Sequence, residues 1–343
     1  MIKRAGSVAG EPVYEATLQV ENQRVAILNY GCIVRRWQYL QLNQGQLRHE
    51  RDLILGFNNV DEYTEAARYF GTVVGRVANR TSRGRFTINN RTCQLSINDG
   101  VHHLHGGRRG LAQRVWSMEL DSALQCVRLS YDSPEGEEGY PGNVAFEVIY
   151  QLTPKGLHCE MNGKPDSPTP INLAQHNYYN LDGRGNILDH TLTLCSDSYL
   201  PVDSGLIPLG SLDPVAGTRF DFRQAKSIGE ADPEGLGTDH NLVLRAGRDR
   251  ALPAATLHSG DGQMTLDILT DQPGMQVYTA ATLTTPGKGF DGQEFGPFAG
   301  VCLEAQGFPD AVNNPDFPSV MSTPDNPYKQ SLSLQISETA TRV

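Results

Sequence analysis

Apolar residues in this chain recur at every second position. Val144, Phe146, Val148, Tyr150 and Leu152 alternate with Ala145, Glu147, Ile149 and Gln151. Val127, Leu129 and Tyr131 alternate with Arg128 and Ser130, and Trp116, Met118 and Leu120 with Ser117 and Glu119. Leu332, Leu334 and Ile336 alternate with serines and Gln335. Successive side chains of a strand point to opposite faces, so each run predicts a strand with one face buried and one solvated. Val25 to Leu28 and Leu53 to Leu55 are shorter apolar runs that suit central strands. Turn signals separate the runs: Asn89-Asn90, Asn98-Asp99-Gly100, Pro134-Glu135-Gly136, Asn162-Gly163, Asp182-Gly183 and Pro286-Gly287. The chain carries 35 Gly and 20 Pro, and these punctuate it throughout. Only Asp61 to Tyr69 and Arg223 to Ile228 suggest short helices. Many short strands with frequent turns predict an all-β antiparallel sandwich or barrel.

Nothing divides the chain. No internal repeat, low-complexity linker or composition step is visible, so residues 1–343 are expected to form one domain. The polar stretch from Arg245 to Pro253 reads as a loop tip. With 38% hydrophobic and 20% charged residues, the chain can bury a large core. No strand–glycine loop–helix unit is present, which removes support for nucleotide binding.

The formal net charge of -10 repels phosphate backbones and anionic lipid. No nucleic-acid or membrane partner is therefore expected. An uncharged ligand such as a sugar meets no such barrier, although the charge could equally serve solubility alone. Cys32, Cys93, Cys126, Cys159, Cys195 and Cys302 are scattered, without a CxxC pair or zinc spacing. The first residues carry no apolar secretion signal, and no run is long enough to span a bilayer. A cytoplasmic protein with free thiols, monomer or homodimer, is expected.

Five segments set polar groups among aromatics and glycines, as a ligand site requires. Gly75-Arg76-Val77-Ala78-Asn79-Arg80 offers guanidinium donors for hydroxyls or a carboxylate, or arginines paired with structural acids. In His102-His103-Leu104-His105-Gly106-Gly107, a strand would turn His103 and His105 to one face. Such a pair suits a metal only with further ligands, which no adjacent motif supplies. One hydrogen-bonding histidine at a pocket floor is the simpler reading. In Asn172 through Leu181, His176 lies among amides and tyrosines, either as a proton carrier or as a buried structural histidine. Asp239, in Gly237-Thr238-Asp239-His240-Asn241, could accept from two hydroxyls or close an Asx-turn. Gln276 follows as a further polar contact. Finally, Val301 to Leu303 reads as a buried strand ended by Glu304. A carboxylate there is costly unless paired or used, and desolvation would make it a better base.

Taken in order, these segments resemble the aldose 1-epimerase (galactose mutarotase) family. The matching strings are Gly75 to Arg80, Leu104 to Gly107, Asn172 to Leu181, Tyr199 to Asp203, Gly217 to Phe222, Asp239 to Asn241, and Leu303-Glu304 with Phe308 to Asp310. They fall within about residues 71 to 319. The resemblance implies a large antiparallel β-sandwich, the galactose mutarotase-like supersandwich, with a few short helices. It implies interconversion of the α and β anomers of a free aldose such as galactose or glucose. By matching position, Glu304 resembles the general base and His176 the general acid. His105 matches a second active-site histidine, Asn79 and Arg80 a substrate-binding pair, and Asp239 the acid that holds sugar hydroxyls. Gln276 and Tyr178 match further contacts. Two departures stand out: histidines at 102 and 103, and Tyr278-Thr-Ala-Ala-Thr-Leu283, which lacks the family's usual glycine and asparagine.

The chemistry suits this residue set. A pyranose opens when its anomeric hydroxyl loses a proton and its ring oxygen gains one. No redox step or group transfer occurs, so no metal or cofactor is expected. A carboxylate beside the histidine is expected to raise the histidine's pKa and lower its own. The rivals are a non-catalytic sugar-binding protein on the same sandwich, a mutarotase for another sugar, and a hydrolase or lyase using two carboxylates. The last would want a second acid near Glu304, which the resemblance does not offer.

Overall fold

A computed structural model describes residues 1–43, 46–64, 67–285 and 287–339. The strands predicted from alternation are present. Ser117–Asp121, Cys126–Ser133, Val144–Thr153, Gly156–Pro165, Tyr328–Glu338, Met264–Thr270, Ala255–His258, Thr191–Leu194 and Lys226–Ser227 lie side by side in one antiparallel sheet. Its largest stretch follows the sequence pattern: Val144, Phe146, Val148, Tyr150 and Leu152 are all buried, whereas Ala145 is exposed and Glu147, Ile149 and Gln151 are half-buried.

Two further antiparallel sheets share the core of this one. The first takes Ile2–Val8, Glu11–Val20, Gln23–Leu28, Val34–Asn43 and Gln46–Asp52 in chain order. The second takes Asp213–Pro214, Ser196–Tyr199, Asp239–Leu244, Gly274–Tyr278 and Cys302–Gln306. Leu18, Val25 and Ile27 from the first, Leu242, Met275 and Val277 from the second, and Val127, Phe146 and Val148 from the long sheet belong to one apolar cluster. The result is an all-β sandwich in which sheets are held by interdigitated inner faces.

Several local expectations change. Val25 to Leu28 does lie in a central strand, but Leu53 to Leu55 follows the Gln46–Asp52 strand and meets its neighbours at isolated points, a bridge from Ile54 to Tyr179 and a bond from Leu53 N–H to the Trp37 carbonyl at 2.8 Å. Three buried apolar residues satisfy a core without a ladder. Of the first expected helix, Asp61 to Tyr69, residues 65 and 66 lie outside the described residues, and its start is a 3-10 turn over Val60–Thr64. The second begins only at Ile228 and ends at Ala231. Its start is fixed by chemistry: the Ser227 hydroxyl accepts from the Glu230 amide at 3.1 Å, and the Glu230 carboxylate accepts from the Ser227 amide at 3.2 Å. Arg223 to Ser227 therefore stays outside it. Arg245 to Pro253 is a largely exposed loop, as expected. Pro286 of one turn signal lies outside the described residues.

Phe146 is 2% exposed and belongs to the apolar cluster that the long sheet shares with the other two. Phe146→Ala should destabilise the protein by about 3–5 kcal/mol, through lost transfer energy and a residual cavity. Equilibrium denaturation in urea checks this.

Candidate active site

Register builds the site. Asn241 pairs with Gln276, and Gln276 with Glu304, across three adjacent strands. One step along, Asp239 pairs with Tyr278, and Tyr278 with Cys302. Directly opposed residues and residues two apart share a face. Asp239, Asn241, Gln276, Tyr278, Cys302 and Glu304 therefore line one face of this sheet. The intervening Leu242, Met275, Val277 and Leu303 face the core. Glu304 does not end its strand, as the sequence suggested, but sits in the middle of it, because the ladder continues to Gln306.

The His176 segment crosses this face as irregular buried backbone. Its main chain bonds to distant partners: His176 N–H to the Thr72 carbonyl at 2.8 Å, Gly71 N–H to the His176 carbonyl at 2.9 Å, and Leu55 N–H to the Tyr178 carbonyl at 2.9 Å. Side-chain amides satisfy what no ladder reaches. Gln175 Nε2 donates to Asn177 Oδ1 at 2.7 Å, Asn180 Nδ2 to the Ala299 carbonyl at 2.8 Å, and Gly307 N–H to Asn172 Oδ1 at 2.8 Å. Buried backbone must be paired, and this explains the density of amides around the histidine.

His176 Nε2 lies 3.7 Å from Glu304 Oε1. The two residues are 128 positions apart in sequence, 304 − 176. Tyr178 stacks on the His176 ring at 5.2 Å and Tyr69 at 6.0 Å, with His105 edge-on at 5.3 Å. Tyr178 thus backs the histidine and is itself stacked on Phe70 at 4.1 Å. At the rim, the Gln276 amide donates to Asp239 Oδ1 at 2.6 Å. Arg80 donates to Asp99 at 2.8 Å and reaches Asp239 at 3.5 Å. Exposure is graded: the Glu304 side chain is 2% exposed, His176 5%, Arg80 13% and Asp239 29%. The site is a recess with its titratable pair at the floor and its charged clamp at the mouth.

His105 and Asn79 hold each other. His105 N–H donates to the Asn79 carbonyl at 3.1 Å, and Asn79 N–H donates to His105 Nδ1 at 3.1 Å. Both adopt positive φ, 51° and 62°. That turn breaks the strand after Leu104, so His103 and His105 do not share a face as expected. His103 instead contacts the Ser96 carbonyl at 2.6 Å and the Tyr140 hydroxyl at 2.7 Å, away from His176. Arg76 likewise leaves the site: it is buried among the carbonyls of Ser133, Pro134, Pro141 and Gly142.

His105, His176 and Glu304 bring one ligand-type atom each within 4.8 Å of one another. The tautomer of His105 opposes a metal there. Its Nδ1 lone pair is taken by the Asn79 amide, so the neutral ring carries its proton on Nε2 and has no free lone pair. Burial also holds its pKa well below the usual value. His105 is a neutral N–H donor.

Burial dominates the pair as well. Desolvation, then the Asp239 charge, push Glu304 well above the carboxylate range, against a smaller pull from Arg80. Desolvation lowers His176 to about 4. The expectation that the carboxylate would raise the histidine is corrected: removing both groups from water outweighs their attraction. Both shifts favour the uncharged form of each group. A second acid does stand near Glu304, contrary to expectation, in Asp239; its oxygens are engaged by Gln276 and Arg80.

Sequence reasoning missed Tyr69, Asp99 and Cys302. Only Cys302 had a signal, since it lies two residues before Glu304 on a strand.

A β-sandwich with a graded polar recess, a buried imidazole–carboxyl pair and an uncharged donor beside it defines an enzyme for proton transfer on a neutral, hydroxyl-rich ligand. The family model for aldose 1-epimerase matches residues 14–335. Galactose mutarotase from Sus scrofa is 40% identical over 315 residues, 91% of this chain and 90% of that one. Aldose 1-epimerase from Escherichia coli (strain K12) is 36% identical over 303 residues, 86% of each chain. Among solved structures, an aldose epimerase homologue from C. elegans superimposes with TM-score 0.87 at 27% identity, covering 95% of this chain and 99% of that one. Galactose 1-epimerase from Lactobacillus acidophilus NCFM gives 0.84 at 28%, covering 98% of each. The chain belongs to the aldose 1-epimerase family, and it is an isomerase.

Gly106 is what lets His105 approach. At φ +83°, a Cβ there would lie 1.6 Å from the Gly75 carbonyl oxygen. Gly106→Ala should cost more than about 3 kcal/mol, through strain and backbone collision. Thermal unfolding checks this, with a large drop in Tm expected.

Proposed function

We propose that this isomerase interconverts the α and β anomers of a free aldose such as galactose or glucose, with His176 and Glu304 as its acid–base pair. The observation that carries the proposal is the 3.7 Å approach of His176 Nε2 to Glu304 Oε1 at the floor of a polar recess. A sugar bound there would present its anomeric hydroxyl to one group and its ring oxygen to the other. The one proton of the pair passes from the Glu304 carboxyl to His176 Nε2, and the Glu304 carboxylate then removes the hydroxyl proton as His176 protonates the ring oxygen. The aldehyde rotates about C1–C2, and closure on the other face reverses both transfers. Neither end of the cycle changes the proton count of the pair.

The remaining residues hold the sugar. Arg80 and Asp239 grip neighbouring hydroxyls at the mouth, and Gln276 extends that clamp. Asn79 fixes His105, whose Nε2–H donates to a further oxygen. Tyr178 supports the His176 ring from behind. Glu304 Oε2 and Gln276 Oε1 are buried and lack a protein partner among the described residues. Sugar hydroxyls are the donors that such acceptors fit. No step calls for a metal or a cofactor. The two-carboxylate hydrolase is less well supported, since Asp239 is already engaged while the group facing Glu304 is an imidazole.

We also propose that residues 1–343 act as one domain, as a monomer or homodimer in the cytoplasm, without nucleic-acid or membrane partners. The charge of -10 and six free cysteines support this reading. No helix among the described residues is long and apolar enough to cross a membrane.

Glu304→Gln and His176→Asn should each lower kcat by a factor on the order of 10²–10⁴, the range for a positioned acid or base. Polarimetry of freshly dissolved α-D-glucose and α-D-galactose reads this directly. Near-normal rates in either variant would defeat the assignment. Glu304→Gln should not unfold the protein. Because the folded-state pKa of Glu304 is raised, its contribution to stability is complete below the ordinary carboxylate value and lost as pH rises through the folded value. At pH 8 the amide should therefore match or exceed the native Tm.

The pH profile of kcat/KM follows from the same pair. The active form holds one proton. On the acid side a second proton enters at His176, placing that limb near pH 4. On the alkaline side the shared proton leaves at the raised Glu304 value, placing that limb above the ordinary carboxylate range. A broad bell is expected in stopped-flow polarimetry, and an acid limb at the usual histidine value would contradict it.

A further inference from the structure

One neighbour of His176 has no part in the chemistry above. Cys302 is buried two residues before Glu304 on the same strand, so both side chains face the same recess. Glu304 Oε1 meets His176 Nε2 at 3.7 Å, and Cys302 Sγ meets His176 Nδ1 at 3.5 Å. A single strand contacts both nitrogens of one imidazole.

Turnover restricts the histidine's tautomer. Nε2 must give a proton to the ring oxygen and later take one back. A neutral ring that has released its Nε2 proton must keep the one on Nδ1. Something must therefore accept Nδ1–H throughout the cycle, and the sulfur is the side-chain group in reach. We propose that Cys302 is a positioning residue, its sulfur accepting Nδ1–H of His176 and holding the ring in the tautomer that leaves Nε2 free to carry the shuttled proton. This inference rests on the acid–base reading of His176 and Glu304.

The surroundings fit that role. Burial keeps the thiol protonated, and the nearby Glu304 and Asp239 charges oppose a thiolate. The acceptor is thus neutral and adds no charge to a pair whose proton must stay mobile. Tyr178, whose ring stacks on His176 at 5.2 Å, also neighbours this thiol. A sulfur is a weak acceptor. It orients the ring without binding the Nδ1 proton as tightly as a carboxylate would.

The test is the histidine tautomer in the full-length enzyme, read by two-dimensional ¹H–¹⁵N correlation of ring nitrogens at neutral pH, with His176→Asn identifying the His176 signals. The native enzyme should show the Nδ1–H pattern. Cys302→Ala should shift His176 toward Nε2–H and lower kcat about tenfold with KM within about twofold, an effect on turnover and not on binding. Cys302→Ser, which restores an acceptor, should return both the tautomer and most of kcat. An Nε2–H pattern in the native enzyme would overturn the proposal without need of any variant, as would an unchanged tautomer in Cys302→Ala. Failure of the underlying acid–base reading looks different: His176→Asn would then keep native rates, whatever the tautomer.

Discussion

The structure turns on the burial of one carboxyl group beside one imidazole. Glu304 sits mid-strand, 2% exposed, with His176 across from it. In water their attraction would set opposite charges. At the floor of this recess desolvation is the larger effect, and it favours the uncharged form of each group. That state suits a reaction in which protons exchange but no charge accumulates. A permanent ion pair would hold its proton on one side, whereas a neutral pair lets a bound sugar decide where the proton goes.

The surrounding architecture keeps that pair together. Three strands present Asn241, Gln276 and Glu304 in register on one face while sending Leu242, Met275, Val277 and Leu303 into the core. The histidine arrives on irregular backbone, which a sandwich interior tolerates only if its polar groups are paired. Gln175, Asn177, Asn180 and Asn172 do that pairing with each other and with main chain from residues 71, 299 and 307. What reads in the sequence as a cluster of polar residues is thus mostly scaffold around a single working group.

Charge is deployed differently at the mouth. Arg80 lies between Asp99 and Asp239, and Asp239 is also held by Gln276. Partial exposure lets these groups stay solvated. Their geometry, fixed by mutual contacts, is available to hydroxyls without a large desolvation cost. The same logic separates Arg80 from Arg76, four residues earlier, whose guanidinium is consumed by main-chain carbonyls.

Alternation alone determined the all-β class, because period two has one backbone solution, and the faces of Val144 to Leu152 were legible residue by residue. Ordered strings from Gly75 to Asp310 marked the family and pointed to His176, Glu304, His105, Arg80 and Asp239. Local sequence failed where partners are remote. His103 and His105 were separated by a turn that Asn79 stabilises from a distant bend. Leu53 to Leu55 lost its ladder because its neighbours came from residues 178–180. Nothing in sequence linked Asp99 to Arg80. The state of the catalytic pair was also decided only in three dimensions: the chain carries the ionisable groups, but the extent to which water is excluded from them depends on three strands and a distant irregular segment closing over one recess. Desolvation is a property of the whole enclosure, and no short stretch of sequence encodes it.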